Sequence, residues 1–379
     1  MINKVTIDGE TEEIEFPDEL YEESDIDEVF RENESIPIER LGKYYLNENL
    51  NFLCGSGTSV SLGGETINDS DENPFNGVLN ELREIDDPKD HIKQLIKYLD
   101  SDDLLEDKFD RINQEYLYYL NNVEDEDIAE EIKDYFEKIL EQFIEGFIPF
   151  PKDYYQSKLE DHTLFINKII SRKEELNRPN IFTLNYDLAF ENSCEKIGVS
   201  YNNGFRGTHL RKFDPDTFYN ERYIKQDKTG KNKKLGTYLN LYKLHGSISW
   251  QYSDNLDDLY KIKEVQVSDN FDKDDFNYES LVIYPIQTKK SYSLDLPYSE
   301  LFRYFSKNLS ETQNTLVLVG YSFLDEHIND IIRTGLYNPN LTLIIHAYGI
   351  IDDNSGYFGH MVPLISEHIV PLSISDISG

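Results

Sequence analysis

The chain has 379 residues, 39% hydrophobic and 13% aromatic, enough for one large domain or a core with a sizeable insertion and too apolar for wholesale disorder. A formal net charge of −36 repels phosphate backbones, so direct binding of DNA or RNA is not expected; such a surface suits solubility or docking onto a basic protein. Its two cysteines, Cys54 and Cys194, exclude a four-cysteine zinc site and suggest a reducing compartment. No apolar run nears the roughly 20 residues of a membrane span, and Met1-Ile2-Asn3-Lys4 opens no signal-peptide core, so a soluble cytoplasmic protein is expected.

Residues 1–44 form an acidic arm in which Glu12, Glu13, Glu15, Glu22, Glu23, Asp25, Asp27 and Glu28 alternate with Val5, Ile7, Ile14, Phe16 and Leu20. Either a solvated arm or one exchanged between subunits fits that pattern. A single main body is expected over 45–379. Leu50-Asn51-Phe52-Leu53 is short, apolar and followed by glycine, as a first core strand would be. Residues 76–172 then read as mostly helical: Val78, Leu79, Leu82 and Ile85 have helical spacing, as do Ile92, Leu95, Ile96 and Leu99, and Ile132, Phe136, Ile139, Leu140 and Phe143. A helical insertion over about 70–175 follows from this. Strand patterns resume at 180–183, 239–244, 281–284, 315–319 and 341–345, with helical stretches at 187–197 and 325–335. Apolar strands alternating with helices predict an α/β fold, a Rossmann-like parallel sheet carrying a large helical insertion. Residues 209–236 and 252–276 are polar and read as long surface loops.

Four short motifs stand at strand ends. Gly55-Ser56-Gly57-Thr58-Ser59 offers glycines that let backbone N–H groups approach a pyrophosphate, and Thr58 and Ser59 add hydroxyl donors; it lacks the Gly-Lys-Ser/Thr ending of a P-loop. Thr183-Leu184-Asn185-Tyr186-Asp187 leaves a strand for a helix. There Asn185 can hold a ribose hydroxyl or a water, Asp187 suits a helix cap, and Tyr186 suits packing. Leu244-His245-Gly246 places a histidine, which titrates near neutral pH, at a strand end before a glycine. Gly320-Tyr321-Ser322 follows the most apolar strand, with Ser322 a donor to phosphate or ribose and Asp325 an N-cap. His209, His327 and His346 are weaker candidates, His346 for adenine or ribose. Parallel sheets build nucleotide sites from loops at their carboxyl ends, so the four motifs imply one composite pocket.

In this order the motifs resemble the sirtuin superfamily, whose pattern is Gly-Ala-Gly-x-Ser, Thr-x-Asn-x-Asp, Leu-His-Gly and Gly-Thr-Ser; Ser56 replaces the alanine. The absent zinc cysteines and the helical insertion resemble the sirtuin-like NADases of bacterial antiphage defence, in particular the subunit paired with a HerA-type hexameric ATPase. The resemblance implies NAD+ as the substrate, cleaved to nicotinamide and ADP-ribose, a homo-oligomer, and no metal in this chain. It assigns catalysis to Asn185 and His245, and NAD+ binding to Gly55, Ser56, Gly57, Thr58, Ser59, Thr183, Asp187, Gly320 and Ser322. Protein deacylation, or sensing of NAD+ or ADP-ribose without chemistry, remain alternatives; a nuclease gains no support from a carboxylate cluster in these motifs.

Overall fold

The computed structural model describes residues 2–7, 10–15, 42–64, 75–101, 105–120, 126–173, 175–220, 223–224, 233–234, 237–253, 259–271, 296–323, 325–347 and 369–373. Seven strands build the central sheet: β1 (Asn49–Cys54), β2 (Asn180–Thr183), β3 (Ser200–Asn202), β4 (Tyr238–Lys243), β5 (Asn314–Val319), β6 (Leu341–Ala347) and β7 (Ile369–Ser373). Their order is β7-β6-β5-β1-β2-β4-β3, and every neighbouring pair is parallel. The expected Rossmann-like α/β architecture is therefore present.

The strands alternate cleanly between two buried faces. Leu53, Phe182, Tyr242, Leu316, Leu318, Leu343 and Ile345 pack on one side against helices α7 (Tyr298–Leu309) and α8 (Glu326–Gly335). Phe52, Ile181, Leu241, Val317 and Ile344 face the other side, against α5 (Glu160–Ile170) and α6 (Ala189–Lys196). Both faces are covered by helices, so the strands read as nearly continuous apolar runs.

The long insertion is confirmed. It contains α1 (Asn76–Arg83), α2 (Asp90–Leu99), α3 (Leu105–Leu120) and α4 (Glu126–Phe147), and ends with α5. The residues of the helical spacing form one core, including Leu79, Leu82, Leu95, Ile132, Ile139 and Ile144. Leu188 and Ile248, from the sheet body, belong to the same core and tie the insertion to it.

Two expectations change. The polar stretches 209–236 and 252–276 are not simply surface loops: Arg211–Phe213 and Ile262–Glu264 pair antiparallel within a small four-stranded sheet with Phe205–Arg206 and Trp250–Tyr252. Few apolar residues suffice because they join the core of the main sheet rather than forming a periodic run of their own: Phe213 meets Phe205 and Trp250, Phe218 stacks on Tyr242 at 4.1 Å, and Ile262 is buried in the same cluster. The strand expected at 281–284 lies outside the described residues, as do residues 16–41 of the acidic arm. Ile2–Ile7 and Glu10–Glu15 form an antiparallel hairpin.

Candidate active site

Register brings the four motifs side by side. Cys54 pairs with Thr183 and with Val319, and Thr183 pairs with Lys243, so β1, β2, β4 and β5 end at one level. The chain runs from β1 towards β2 on one side and returns to β5 on the other, making the crevice between β1 and β5 the topological switch point. Gly55 and Gly320 stand at that crevice.

The two loops meet backbone to backbone. Gly55 N–H donates to Val319 O at 3.0 Å and Gly57 N–H to Gly320 O at 3.0 Å. A Cβ on Gly57 would lie 2.7 Å from the Gly320 Cα, and one on Gly320 would lie 2.7 Å from the Thr58 nitrogen. Gly320 also has φ +60°, in the left-handed region. The glycines are thus needed for the contact between the loops themselves. The loop continues as a 3₁₀ turn over Ser56–Leu62, with Ser56 and Gly57 exposed, Thr58 half-buried and Ser59 buried.

Asn185 and Asp187 hold this loop from below. The Asn185 amide nitrogen lies 2.9 Å from Gly55 O, 2.9 Å from Thr58 Oγ1 and 2.7 Å from Ser59 Oγ. Its two hydrogens serve two of these acceptors at a time. Thr58 Oγ1 donates to Gly55 O at 2.8 Å, and Ser59 Oγ donates to Asp187 Oδ2 at 2.5 Å. Asp187 Oδ1 accepts the Ala189 N–H at 2.9 Å, but the N-cap position of α6 is Leu188, so Asp187 steadies the start of the helix from one residue before the cap expected for it. Thr183 is fully buried, its Oγ1 accepting the Asn185 N–H at 3.1 Å. Gly55, Thr58, Ser59, Thr183, Asn185, Asp187 and Gly320 thus form one hydrogen-bonded and packed unit. The hydroxyl hydrogens of Thr58 and Ser59, expected to serve a phosphate, are turned inward here, whereas Ser56 is exposed.

His245 follows β4 and is half-buried. Its ring lies 6.3 Å from the Tyr186 ring, which in turn meets Phe143 of α4 edge-on at 6.5 Å, so the helical insertion reaches the histidine through one aromatic. His245 Nε2 is 3.3 Å from Nε2 of His327, in the first turn of α8. Ser322 is half-buried in the loop between Gly320 and α8. Asp325 occupies the N-cap position of α8 but makes no side-chain capping hydrogen bond, contrary to its expected role. The fold separates the other two histidines from this cluster: His209 lies on an exposed turn, and His346 Nε2 is 3.0 Å from the Tyr45 hydroxyl. Burial lowers the His346 pKa below the usual histidine value.

Sequence reasoning passed over Lys243 and Glu191. Lys243 is 2% exposed at the end of β4, and its ammonium donates to the Asp187 carbonyl and pairs with Glu191 of α6 at 3.5 Å. Burial raises the Glu191 pKa, and the Lys243 charge counters it. Lys243, two residues before His245, thus ties the β4 end to the backbone of Asp187. A lysine closing a largely apolar, buried strand was the available signal.

No curated protein matches the chain. The family model described as SIR2-like domain matches residues 179–341. That span holds the Asn185, His245 and Gly320 motifs, whereas the first glycine loop precedes it. Over these residues the chain is similar to the SIR2-like domain, which supports a sirtuin-like family and is consistent with an NAD+-utilising enzyme.

Proposed function

We propose that the protein is an NAD+ glycohydrolase, releasing nicotinamide and ADP-ribose. The observation carrying this reading is the meeting of the Gly55–Ser59 and Gly320 loops at the switch point of a parallel sheet, with Asn185 beneath them and His245 at the adjoining strand end. The dinucleotide lies along the β1–β5 crevice, near Ser56, Gly57 and Ser322. The bond between nicotinamide and ribose C1′ breaks with its electron pair leaving on nicotinamide, giving an oxocarbenium-like ribose. A water adds to C1′ and His245 Nε2 takes its proton. Asn185 commits its amide hydrogens to the glycine loop, so its carbonyl oxygen is the atom that orients the water or a ribose hydroxyl. Thr183 and Asp187 serve the site by holding Asn185 and the loop.

The motif resemblance further supports a homo-oligomer acting in antiphage defence by NAD+ depletion, controlled by a HerA-type hexameric ATPase. The helical insertion, linked to His245 through Phe143 and Tyr186, is a route for such control.

The test is NAD+ consumption by the purified chain, with and without the partner ATPase, products being resolved by chromatography. Nicotinamide and ADP-ribose should form, and His245→Ala should lower turnover by about a hundredfold or more, the scale of a lost acid–base group. An equally active His245→Ala enzyme refutes the mechanism. Consumption only with an acetylated peptide present would instead assign a deacylase, and NAD+ binding without release would assign a sensor.

A further inference from the structure

His245, Asp325 and His327 come from a strand end, a loop and a helix, and each points a ligand atom into one small volume. Those three atoms all lie within 4.8 Å of one another. The two imidazole Nε2 atoms are 3.3 Å apart, longer than a usual N–H hydrogen bond. Two nitrogens bound to one tetrahedral zinc at its usual bond length stand about 3.3–3.4 Å apart. The observed separation is that edge.

The surroundings fix two of the three groups. The His327 ring meets Phe302 edge-on at 5.1 Å, and His245 lies beside Tyr186. The loop presenting Asp325 is pinned to α8: Asn329 Nδ2 donates to Phe323 O at 2.7 Å, and the Tyr321 hydroxyl donates to Asn329 Oδ1 at 2.8 Å. Phe323 itself sits at φ +62°, a left-handed conformation unusual for a side chain of this bulk. All three candidate ligands are half-buried, open to an entering ion, and the acidic molecule raises the local cation concentration.

We propose that His245, Asp325 and His327 bind one zinc-class divalent cation through two imidazole nitrogens and a carboxylate, leaving a fourth position for water. Two histidines and one carboxylate suit zinc. The consequence for turnover rests on the function proposed above: a cation on His245 Nε2 occupies the lone pair that would take the proton from water. Zinc then acts as a reversible brake on NAD+ cleavage.

The binding test does not depend on that activity. The full chain, freed of metal with a chelator, is titrated with Co2+ and followed by the visible ligand-field absorption of tetrahedral cobalt. One equivalent should bind and be displaced by Zn2+. His327→Gln and Asp325→Asn should each weaken the affinity by more than about tenfold while circular dichroism shows an intact fold. No saturable one-to-one binding, or equal affinity in both variants, overturns the site. Zn2+ added to the NAD+ assay should slow nicotinamide release, with recovery on chelation. Cobalt binding with release insensitive to zinc overturns the brake alone. Cobalt binding in a chain that never cleaves NAD+ overturns the glycohydrolase reading and leaves the metal site standing.

Discussion

Lys243 shows how much one buried side chain can decide. Its side chain is 1% exposed and its ammonium faces Glu191, whose side chain is 7% exposed, so both groups have left water. Such a pair contributes little net stability against an apolar replacement of both partners, but losing one partner strands the other. Lys243→Met should therefore cost about 3–5 kcal/mol, read as a lower urea midpoint, and the double variant Lys243→Met/Glu191→Leu should recover part of that loss. A single-variant midpoint equal to wild type would show that the pair is not closed. Glu264 gives a pH signature. Burial pushes its carboxyl up to about 7 from an unfolded value near 4.5, against the opposing pull of Arg211. The folded state thus keeps its proton to higher pH, and this group's contribution to stability falls as pH rises from 4.5 to 7, by up to about 3 kcal/mol. Glu264→Gln should flatten that part of the profile; an unchanged slope would place the titration elsewhere.

At the scale of elements, a ladder of asparagines crosses the sheet near its amino ends. Asn240 Nδ2 donates to Asn180 Oδ1 at 2.9 Å, Asn180 Nδ2 to Asn51 Oδ1 at 2.8 Å, and Asn51 Nδ2 to Asn314 Oδ1 at 2.7 Å. These side chains link β4, β2, β1 and β5, the four strands whose carboxyl ends carry the motifs. A slip of one residue in any of them would turn every side chain to the opposite face and break the ladder. The ladder therefore helps to set the register that aligns Cys54, Thr183, Lys243 and Val319. Asn51→Ala removes the donor to Asn314 Oδ1 and one of the two acceptors of Asn180 Nδ2, which keeps Asn308 Oδ1, and should cost about 1–3 kcal/mol. Thermal unfolding of the variant checks this; a shift within error of wild type would mean that water replaces the amide.

The whole molecule carries a net charge of −36, and self-repulsion opposes the compact state. Raising ionic strength from about 0.05 M to 0.5 M shortens the screening length from above 10 Å to below 5 Å. The melting temperature should rise over that range. A salt-independent melting temperature would indicate that the charge is already neutralised, as by a basic partner. Among the described residues no helix is long and apolar enough to cross a membrane.

The sequence by itself determined β1, β2, β4, β5 and β6, the helical insertion and the place of each motif at a strand end, but not the edge strands β3 and β7. The determined elements follow from local periodicity and from glycine at turns, so β2 falls on 180–183 as expected and helices α1 to α5 lie between β1 and β2. It did not determine what the motif atoms touch. Asn185 is committed to a loop well over a hundred residues earlier in the chain, Lys243 to α6, and His245 to a histidine across 82 residues. The small antiparallel sheet was also hidden, because its few apolar residues bury against distant aromatics rather than repeating along their own strands. Only the tertiary structure decides such contacts: strand register and loop crossing bring them together, and neither leaves a period in the chain.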